Sequence, residues 1–453
     1  MSSEQIEHSP ARPWADDEVV NGLGQDRPFE SWSADQERAI RAVGEFLGDP
    51  SRKEMSLGGV AGSGKSAIIP WIAASQGGVG EDGSGPVAVC AYTGKAVVVL
   101  RRRGIANAQT LHSFLYVHVG VPKPGGGVRW EWREKSRMCF GGVRLVIVDE
   151  ASMVGREMHR MLSELPFKVL YVGDHFQLPP IGESALNLMA NPDFRMEEVL
   201  RQRADSPVVS MATAARTAGA VPLGHFGDSV HTHAWNAEDA FLRHDVVLVW
   251  TNRERLGANL LAREIRGLPE GQPVEDDRML VRANCRERNI FNGQMVYLVR
   301  DGVWREDGSC ECEWIDEIVH DDPLAGMVGD SGSANCSIGL TRKELQRVRD
   351  LELQWNAFFA SRKHKGARKL PMPTEPKPPF EAHLDWGYAV TVHSAQGSGW
   401  PSVAVVVNDG LLGQDWYRRW LYTAITRASE RVTIYSGSQA SAALAKAAGN
   451  REC

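Results

Sequence analysis

Hydrophobic positions along the chain fall into short continuous runs that are separated by longer amphipathic stretches. Runs that are rich in Val, Ile and Leu on both faces are typical of strands covered on both sides by helices, as in parallel sheets. Such runs occur four times in the first half and three times later: Met55–Gly59, Val87–Ala91, Arg144–Asp149 and Val169–Gly173, then Asp245–Thr251, Val403–Asn408 and Val432–Ser436. Their alternation with helical stretches predicts an α/β fold with two parallel-sheet modules.

Two segments interrupt this alternation. Within Val117–Gly142 a Gly-rich turn precedes Val128, Trp130 and Trp132, which alternate with charged residues and predict a β-hairpin. Near 281–385, short strand-like pieces, Gly-rich turns, a basic helical run and a Pro-rich exit predict a small β domain with a basic helical extension. The predicted organisation is a polar segment at 1–30, a first module at 31–200 with the hairpin at 117–142, a second module at 201–280 and 386–453, and an inserted domain at 281–385.

Composition excludes several classes of protein. The chain has 453 residues, of which 43% are hydrophobic and 24% charged, a profile typical of globular proteins. No run approaches the ~20 apolar residues of a membrane span, and the first thirty residues lack the apolar core of a secretory signal. The seven cysteines form no CxxC pair, which argues against a disulfide framework or a structural zinc site. We therefore expect a cytoplasmic protein without a membrane partner.

Charge is unevenly distributed along the chain. The net charge is −6, yet Thr341–Leu370 contains nine Lys or Arg residues and three Asp or Glu residues. A solvated helix face and an electrostatic contact with a polyanion both explain such a segment. The sequence leaves these two explanations open.

The segment Gly59–Ser66 is a complete GxxxxGK[ST] match between a predicted strand and a helical run. Its glycines allow backbone N–H groups to face phosphates, Lys65 adds a positive charge, and Ser66 supplies a hydroxyl for Mg²⁺. Asp149 and Glu150 end a buried strand at the sheet edge where ligands bind in open α/β folds. We expect Asp149 to hold Mg²⁺ and Glu150 to activate the attacking water. This pairing predicts hydrolysis of ATP with Mg²⁺.

An ordered series of motifs resembles superfamily 1 helicases, and within them the superfamily 1B group of RecD-like and phage Dda-like enzymes. The resemblance covers about Ser33 to Ser436. In chain order the segments are Trp32–Gln36 (Q-motif), Gly59–Ser66 (motif I), Ala91–Ala96 (Ia), Thr110–Phe114 (Ib), Asp149–Ser152 (II), Gly173–Pro180 (III), Leu200–Gln202 (IV), Thr391–Gly397 (V) and Leu421–Arg427 (VI). The resemblance implies two RecA-like motor domains, a strand-separating pin at 117–142 and an SH3-like insertion at 281–385.

The resemblance also assigns roles to individual residues. Gln177 is expected to sense the γ-phosphate, and Arg201 and Arg427 to stabilise its charge as arginine fingers; surface ion pairing is the alternative for Arg201. Catalysis is thus assigned to Lys65, Glu150, Gln177, Arg201 and Arg427. Nucleotide binding is assigned to Gln36, Gly59, Val60, Ala61, Gly62, Ser63, Gly64, Lys65, Ser66, Asp149 and Gly397, with Ser66 and Asp149 as Mg²⁺ ligands.

Strand contacts are assigned to Thr93, Gly94, Lys95, Thr110, His112, Ser113, Trp130, Trp132, Thr251, Thr391, His393 and Ser394. Packing in the hairpin core is the alternative for the two tryptophans, and capping of the core is the alternative for the two histidines. Motif V departs from the family pattern, because the family usually carries Lys-Ser or Lys-Ala directly after the motif's His, whereas His393 is followed by Ser394 and Ala395. Ser394 can therefore offer only a neutral hydrogen bond.

The resemblance implies an ATP-dependent DNA helicase that moves 5′ to 3′ on single-stranded DNA as a functional monomer. Its expected partners are single-stranded and forked DNA, together with a single-strand-binding or replication protein. An RNA helicase on the same scaffold and a nucleotide-gated clamp that does not unwind DNA are the alternatives. Contacts to the phosphates of one strand do not report the 2′-hydroxyl, so the motifs do not separate DNA from RNA.

Overall fold

The computed structural model describes residues 32–78, 85–122, 128–179, 186–199, 206–283, 293–316, 331–339, 378–408 and 416–449, with a few isolated positions between 285 and 373. Three predictions lie outside these residues: the polar segment at 1–30, most of the basic extension at 341–370, and motif IV with Arg201. The side chains of Lys95, Trp130 and Trp132 are likewise outside the description.

The first module is a parallel six-stranded sheet with helices on both faces. Its strands are β1 (Glu54–Gly59), β2 (Val87–Ala91), β3 (Gln109–Thr110), β6 (Leu145–Asp149), β7 (Lys168–Gly173) and β8 (Phe194–Met196), in the order β3-β2-β6-β7-β1-β8. Its helices are α1 (Ala34–Gly48), α2 (Lys65–Ser75), α3 (Gly94–Arg102), α4 (Leu111–Leu115) and α5 (Arg156–Glu164). Separate apolar clusters cover the two faces, which explains the continuous hydrophobic runs in the sequence.

A two-stranded hairpin interrupts the first module at the predicted place. Its strands β4 (Tyr116–Pro122) and β5 (Val128–Glu134) pair antiparallel, with Trp130 opposite Gly120 and Trp132 opposite His118 in the backbone register. The base of the hairpin is tied to the module, because Lys135 Nζ donates to the carbonyl of Ser113 at 2.7 Å. Its function as a pin remains a prediction.

The second module repeats this architecture with a sheet in the order β18-β11-β19-β20-β10-β9. Its strands are β9 (Gly224–Phe226), β10 (Ser229–Thr232), β11 (Val246–Val249), β18 (Ala389–Thr391), β19 (Trp400–Val406) and β20 (Ala428–Tyr435), all parallel except for the β9–β10 pair. Its helices are α6 (Pro207–Ala218), α7 (Ala237–Leu242), α8 (Asn252–Ile265), α9 (Tyr417–Ile425) and α10 (Ser438–Ala448). Both predicted parallel sheets are therefore present.

A third sheet occupies the predicted β insertion. Its strands are β12 (Arg278–Val281), β13 (Met295–Leu298), β14 (Val303–Trp304), β15 (Cys310–Asp316), β16 (Ser331–Ile338) and β17 (Ala382–Trp386), and pairing of β13 with β15 closes five of them into a ring. The sheet extends past both predicted boundaries, because β12 and β17 pair antiparallel with each other. The strands that lead into and out of the insertion therefore belong to it. No helix in the described part of the chain is long and apolar enough to span a membrane.

Candidate active site

The P-loop connects the end of β1 to the start of α2. Gly62 and Gly64 adopt φ values of 81° and 80°, a left-handed conformation that glycine tolerates and other residues rarely adopt. A Cβ atom on Gly59 would lie 2.6 Å from Ser63 Oγ, so the loop needs glycine there for space. Lys65 Nζ donates to the carbonyls of Gly59 and Val60 at 2.7 and 2.9 Å. These contacts place the Lys65 ammonium group over the loop.

Two acids follow β6 beside this loop. Asp149 is buried and accepts a hydrogen bond from the Glu150 backbone N–H at 2.9 Å, while Ser66 donates to the Asp149 carboxylate. Burial raises the pKa of Asp149. Burial and the neighbouring Asp149 carboxylate raise the pKa of Glu150 to about 7, against the opposing charges of Arg427 and Lys65. The structure thus brings together four of the groups that the sequence assigned to phosphate chemistry: Lys65, Ser66, Asp149 and Glu150.

Glu150 holds an uncommon backbone conformation. Its φ is 54°, in the left-handed region. This conformation costs a non-glycine residue of order 1–3 kcal/mol, and residues that adopt it cluster at functional sites. The residue immediately after it begins a short 3₁₀ turn, Ala151–Met153. The chain therefore leaves the extended conformation of the strand directly at Glu150.

Helix α1 carries the Q-motif and is fixed at its start by a capping box. Ser33 accepts from the Gln36 backbone N–H, and the Gln36 side chain accepts from the Ser33 N–H at 3.1 Å. The Gln36 amide also lies 3.5 Å from the carbonyl of Gly64, which places it against the P-loop. Asp35 accepts from the backbone N–H groups of Glu197 and Glu198 at 2.8 Å, a role that the sequence did not indicate.

The turn that carries motif III is held by helix α9 of the second module. Arg419 donates to the carbonyls of His175 and Gln177, and Thr423 Oγ1 accepts from the Leu178 backbone N–H at 3.1 Å. Gln177 is buried, and its amide nitrogen lies 3.4 Å from Asp174. The predicted sensor Gln177 therefore lies at the boundary between the two modules.

Tyr422 of α9 makes the contact that sequence reasoning missed. Its hydroxyl donates to Asp174 Oδ2 at 2.9 Å and accepts from the Ala61 backbone N–H of the P-loop at 2.9 Å. Arg419, Tyr422 and Thr423 have the i, i+3, i+4 spacing that places residues on one helix face. That spacing of Arg419, Tyr422 and Thr423 on one face of the helix was the available signal.

A cavity of about 200 Å³ lies beside these contacts. It is lined by Phe176 of the first module and by Arg216, Arg418, Arg419 and Tyr422 of the second. The Arg216 guanidinium stands over the Phe176 ring at 4.8 Å. Three guanidinium groups give this part of the module boundary a positive potential next to the P-loop.

Arg427 follows α9 and is buried. Its guanidinium donates to the carbonyls of Thr423 and Ser398 at 3.0 and 2.8 Å, so it is oriented by its own module. Its charge acts on Glu150 of the first module. The Arg427 guanidinium therefore lies within electrostatic range of Glu150, across the boundary between the two modules.

Two segments with the same geometry, which we call the threonine corners, lie at corresponding places in the two sheets: Thr110–Ser113 with Thr93, and Thr391–Ser394 with Thr251. In the first sheet the edge strand β3 pairs Thr110 with Ala91, and in the second the edge strand β18 pairs Thr391 with Val249. The neighbouring strands are β2, which contains Ala91, and β11, which contains Val249. Two residues after each of these positions a threonine caps the following helix: Thr93 before α3 and Thr251 before α8.

Within each corner the Thr-x-His-Ser segment folds in the same way. Ser113 N–H donates to Thr110 Oγ1 at 3.2 Å, and Ser394 N–H donates to Thr391 Oγ1 at 3.3 Å. The hydroxyl pairs lie 2.8 and 2.9 Å apart. The structure therefore gives the predicted strand contacts of both modules one shared local geometry.

The histidines of the corners pack against aromatic rings. His112 lies 5.8 Å from Tyr92 and His393 lies 5.5 Å from Trp250, measured between ring centroids. Burial lowers the pKa of both histidines, so both rings are neutral at pH 7. Each can donate one hydrogen bond but contributes no charge.

Gly397 of motif V lies against motif Ia of the first module. A Cβ atom on it would be 3.1 Å from Thr93 Oγ1, so this glycine, assigned to the nucleotide, stands beside a predicted strand contact of the first module. Its φ is 78°. Motifs Ia and V therefore approach each other across the module boundary.

Comparison with known proteins agrees with this arrangement. The family model for the AAA domain matches residues 31–234, and the model for the UvrD-like helicase C-terminal domain matches residues 387–435. The ATP-dependent RecD2 DNA helicase of Deinococcus radiodurans is 27% identical over 407 residues, which are 87% of this chain and 48% of that protein. The chain thus spans about half the length of this curated relative.

Solved structures share the fold. A Pif1 helicase structure described as unwinding forked double-stranded DNA matches with a TM-score of 0.51 at 14% identity, covering 89% of this chain and 92% of that one. The Pif1 helicase of Candida albicans matches with a TM-score of 0.51 at 17% identity, covering 90% and 95%. The two parallel sheets are therefore the RecA-like core of a Pif1-like fold.

Proposed function

We propose that the chain, which is similar to the RecD/Pif1-like group of superfamily 1B helicases, is an ATP-dependent DNA helicase. It would translocate on single-stranded DNA, 5′ to 3′ as in its group, and unwind forked duplexes. The observation that carries the proposal is the convergence of Lys65, Glu150 and Gln177 with Arg427 of the other module at one cleft. An ATPase site split between two modules can drive their relative movement.

The residues at the cleft fit a nucleotide and Mg²⁺. The Ser63 hydroxyl is buried without a partner among the described residues, and the Ser66 hydroxyl meets the Asp149 carboxylate. Hydroxyl and carboxylate oxygens are ligands that Mg²⁺ prefers, together with phosphate oxygens. We assign Ser66 and Asp149 to the metal, which would neutralise phosphate charge when bound.

The chain's own groups perform the remaining steps. Lys65 binds the β- and γ-phosphates, and Glu150 accepts the proton of the attacking water. Gln177 can orient that water because its amide offers both a donor and an acceptor. Arg427 adds positive charge as the γ-phosphoryl group leaves.

The corners at Thr110 and Thr391 are the proposed grip on the strand. Each offers hydroxyl groups and the N-terminal N–H groups of a helix or turn, which suit phosphate oxygens. Because one corner belongs to each module, closure of the cleft changes the distance between them. A single strand held at both corners would thus be moved by each cycle of hydrolysis.

ATP hydrolysis should rise at least about tenfold when single-stranded DNA is added, because a strand that bridges both corners favours the closed state, and a tenfold change requires only about 1.4 kcal/mol. The measurement is steady-state ATPase with single-stranded DNA, single-stranded RNA or duplex DNA, together with unwinding of forks with tails of either polarity. A rate that no nucleic acid changes would contradict the proposal. Stimulation and unwinding confined to RNA would make the protein an RNA helicase.

Shortening the hairpin should separate unwinding from translocation. Residues 118–132 would be replaced by a short Gly/Ser loop, while Lys135 is kept because it binds the carbonyl of Ser113 beside a strand corner. We expect DNA-stimulated ATPase within about twofold of wild type and strongly impaired duplex separation, because neither the P-loop nor the corners lie in the replaced segment. Lys135→Ala, with the hairpin intact, is the control for damage at its base. Unimpaired unwinding after the replacement would refute the pin assignment.

A further inference from the structure

The Tyr422 hydroxyl lies between two parts of the nucleotide site. It accepts the Ala61 N–H of the P-loop and donates to Asp174 of motif III, each at 2.9 Å. Tyr422 is 3% exposed, and its ring packs 5.9 Å from that of Phe176. Burial and the Asp174 carboxylate raise the pKa of Tyr422 well above its usual range. The hydroxyl therefore stays protonated and remains a donor to Asp174.

The contact with Ala61 competes with phosphate. Backbone N–H groups of the P-loop bind the phosphates of a nucleotide, and an N–H group makes one strong hydrogen bond at a time. A phosphate oxygen is a charged acceptor and forms a stronger bond than a phenol oxygen. A nucleotide that takes the Ala61 N–H therefore removes it from Tyr422.

The contact with Asp174 reaches the rest of the site. Asp174 Oδ2 is shared by the Tyr422 hydroxyl and the amide nitrogen of Gln177, so a shift of Tyr422 changes what holds the predicted sensor. Tyr422 lies on the same helix as Thr423, which binds the motif III backbone and the Arg427 guanidinium. Tyr422 is thus linked to Gln177 through Asp174, and to Arg427 through the backbone of the helix at Thr423.

We propose that Tyr422 is a positioning residue that couples occupancy of the P-loop to the second module. When a nucleotide binds, Tyr422 loses its contact with Ala61 and keeps its contact with Asp174. This inference rests on the proposed ATPase function and adds a nucleotide-sensing step to it. The tyrosine holds the loop before nucleotide binds and afterwards anchors Asp174, which in turn positions Gln177. It opposes binding slightly and supports turnover.

The test is Tyr422→Phe, which keeps the ring and removes only the hydroxyl. The matched control is Tyr435→Phe, because Tyr435 of the same module also donates to an aspartate, Asp239, away from the cleft. For both variants we would measure the dissociation constant of a non-hydrolysable ATP analogue without DNA, the DNA-stimulated kcat, and the melting temperature.

We expect Tyr422→Phe to bind the analogue about fivefold more tightly, the effect of one net hydrogen bond removed from the competing state. Its kcat should fall about tenfold, because Asp174 loses an anchor and leaves Gln177 less well placed. Tyr435→Phe should change neither quantity by more than about twofold, which corresponds to less free energy than one net hydrogen bond, whatever its effect on the melting temperature.

Unchanged or weaker binding of the analogue by Tyr422→Phe would overturn the proposal, even if kcat fell, since a purely structural tyrosine gives that result. Equal effects in both variants would overturn it as well. If the wild-type protein bound the analogue but nucleic acid did not stimulate its ATPase, the proposed helicase function would fail instead. The comparison of analogue binding would then still decide the role of Tyr422.

Discussion

Lys65→Ala should abolish ATP turnover, with a loss of at least about 10³-fold. This is the order seen when a positively charged side chain that contacts the transferring phosphoryl group is removed. Lys65 Nζ lies over the P-loop between the carbonyls of Gly59 and Val60, where a bound triphosphate would meet it. The variant should also lose affinity for ATP. Glu150→Gln should instead keep binding both ATP and single-stranded DNA while its hydrolysis falls about 10²- to 10⁴-fold, the range of a general base.

Nucleotide binding and steady-state ATPase on the same preparations separate these two effects. The control is Lys168→Ala, because Lys168 Nζ also binds backbone carbonyls, those of Phe46, Asp49 and Arg52, but at the far end of the sheet. It should lower stability without changing ATP affinity. Near wild-type hydrolysis by Glu150→Gln would show that another group activates the water.

Arg427→Ala should lower DNA-stimulated turnover by about 10³-fold or more, the lower limit for loss of an arginine finger. Arg427 is buried, oriented by the carbonyls of Thr423 and Ser398, and close enough to Glu150 for its charge to act there. Because Arg427 is proposed to act on the γ-phosphate and not on the strand, affinity for single-stranded DNA without nucleotide should change by less than about threefold, below 1 kcal/mol.

Fluorescence anisotropy with labelled single-stranded DNA, alongside ATPase, measures both quantities. Arg431→Ala is the matched control, since Arg431 lies four residues later and binds Ser402 and the carbonyl of Arg243 outside the cleft. A loss of DNA affinity as large as the loss of turnover would make Arg427 a strand contact.

Features encoded locally were readable from the sequence. The strands ending at Gly59, Ala91, Asp149 and Gly173 carry continuous apolar runs and were placed correctly at those ends. The hairpin was visible because alternation and a Gly-rich turn are short-range signals. The P-loop and the acids after β6 belong to contiguous motifs, so their meeting at one sheet edge followed from parallel topology.

Features that depend on pairing between distant segments were missed. The third sheet extends beyond 281–385 because β12 pairs with β17, more than a hundred residues later. Cys310 and Cys336 are direct cross-strand partners, and Cys312 lies beside them, although the spacing of the cysteines suggested no cluster. The Tyr422 contacts join three segments of the chain, and no single motif encodes such a meeting.

The proposed grip of the two threonine corners on a strand should respond weakly to ionic strength. A phosphate bound by Lys or Arg releases a condensed counterion, so that part of the affinity weakens as salt is added. The corners hold hydroxyl groups, backbone N–H groups and histidines whose lowered pKa leaves them neutral. These uncharged groups release no counterions, so the share of the affinity that they supply should persist in salt that weakens contacts made by Lys or Arg.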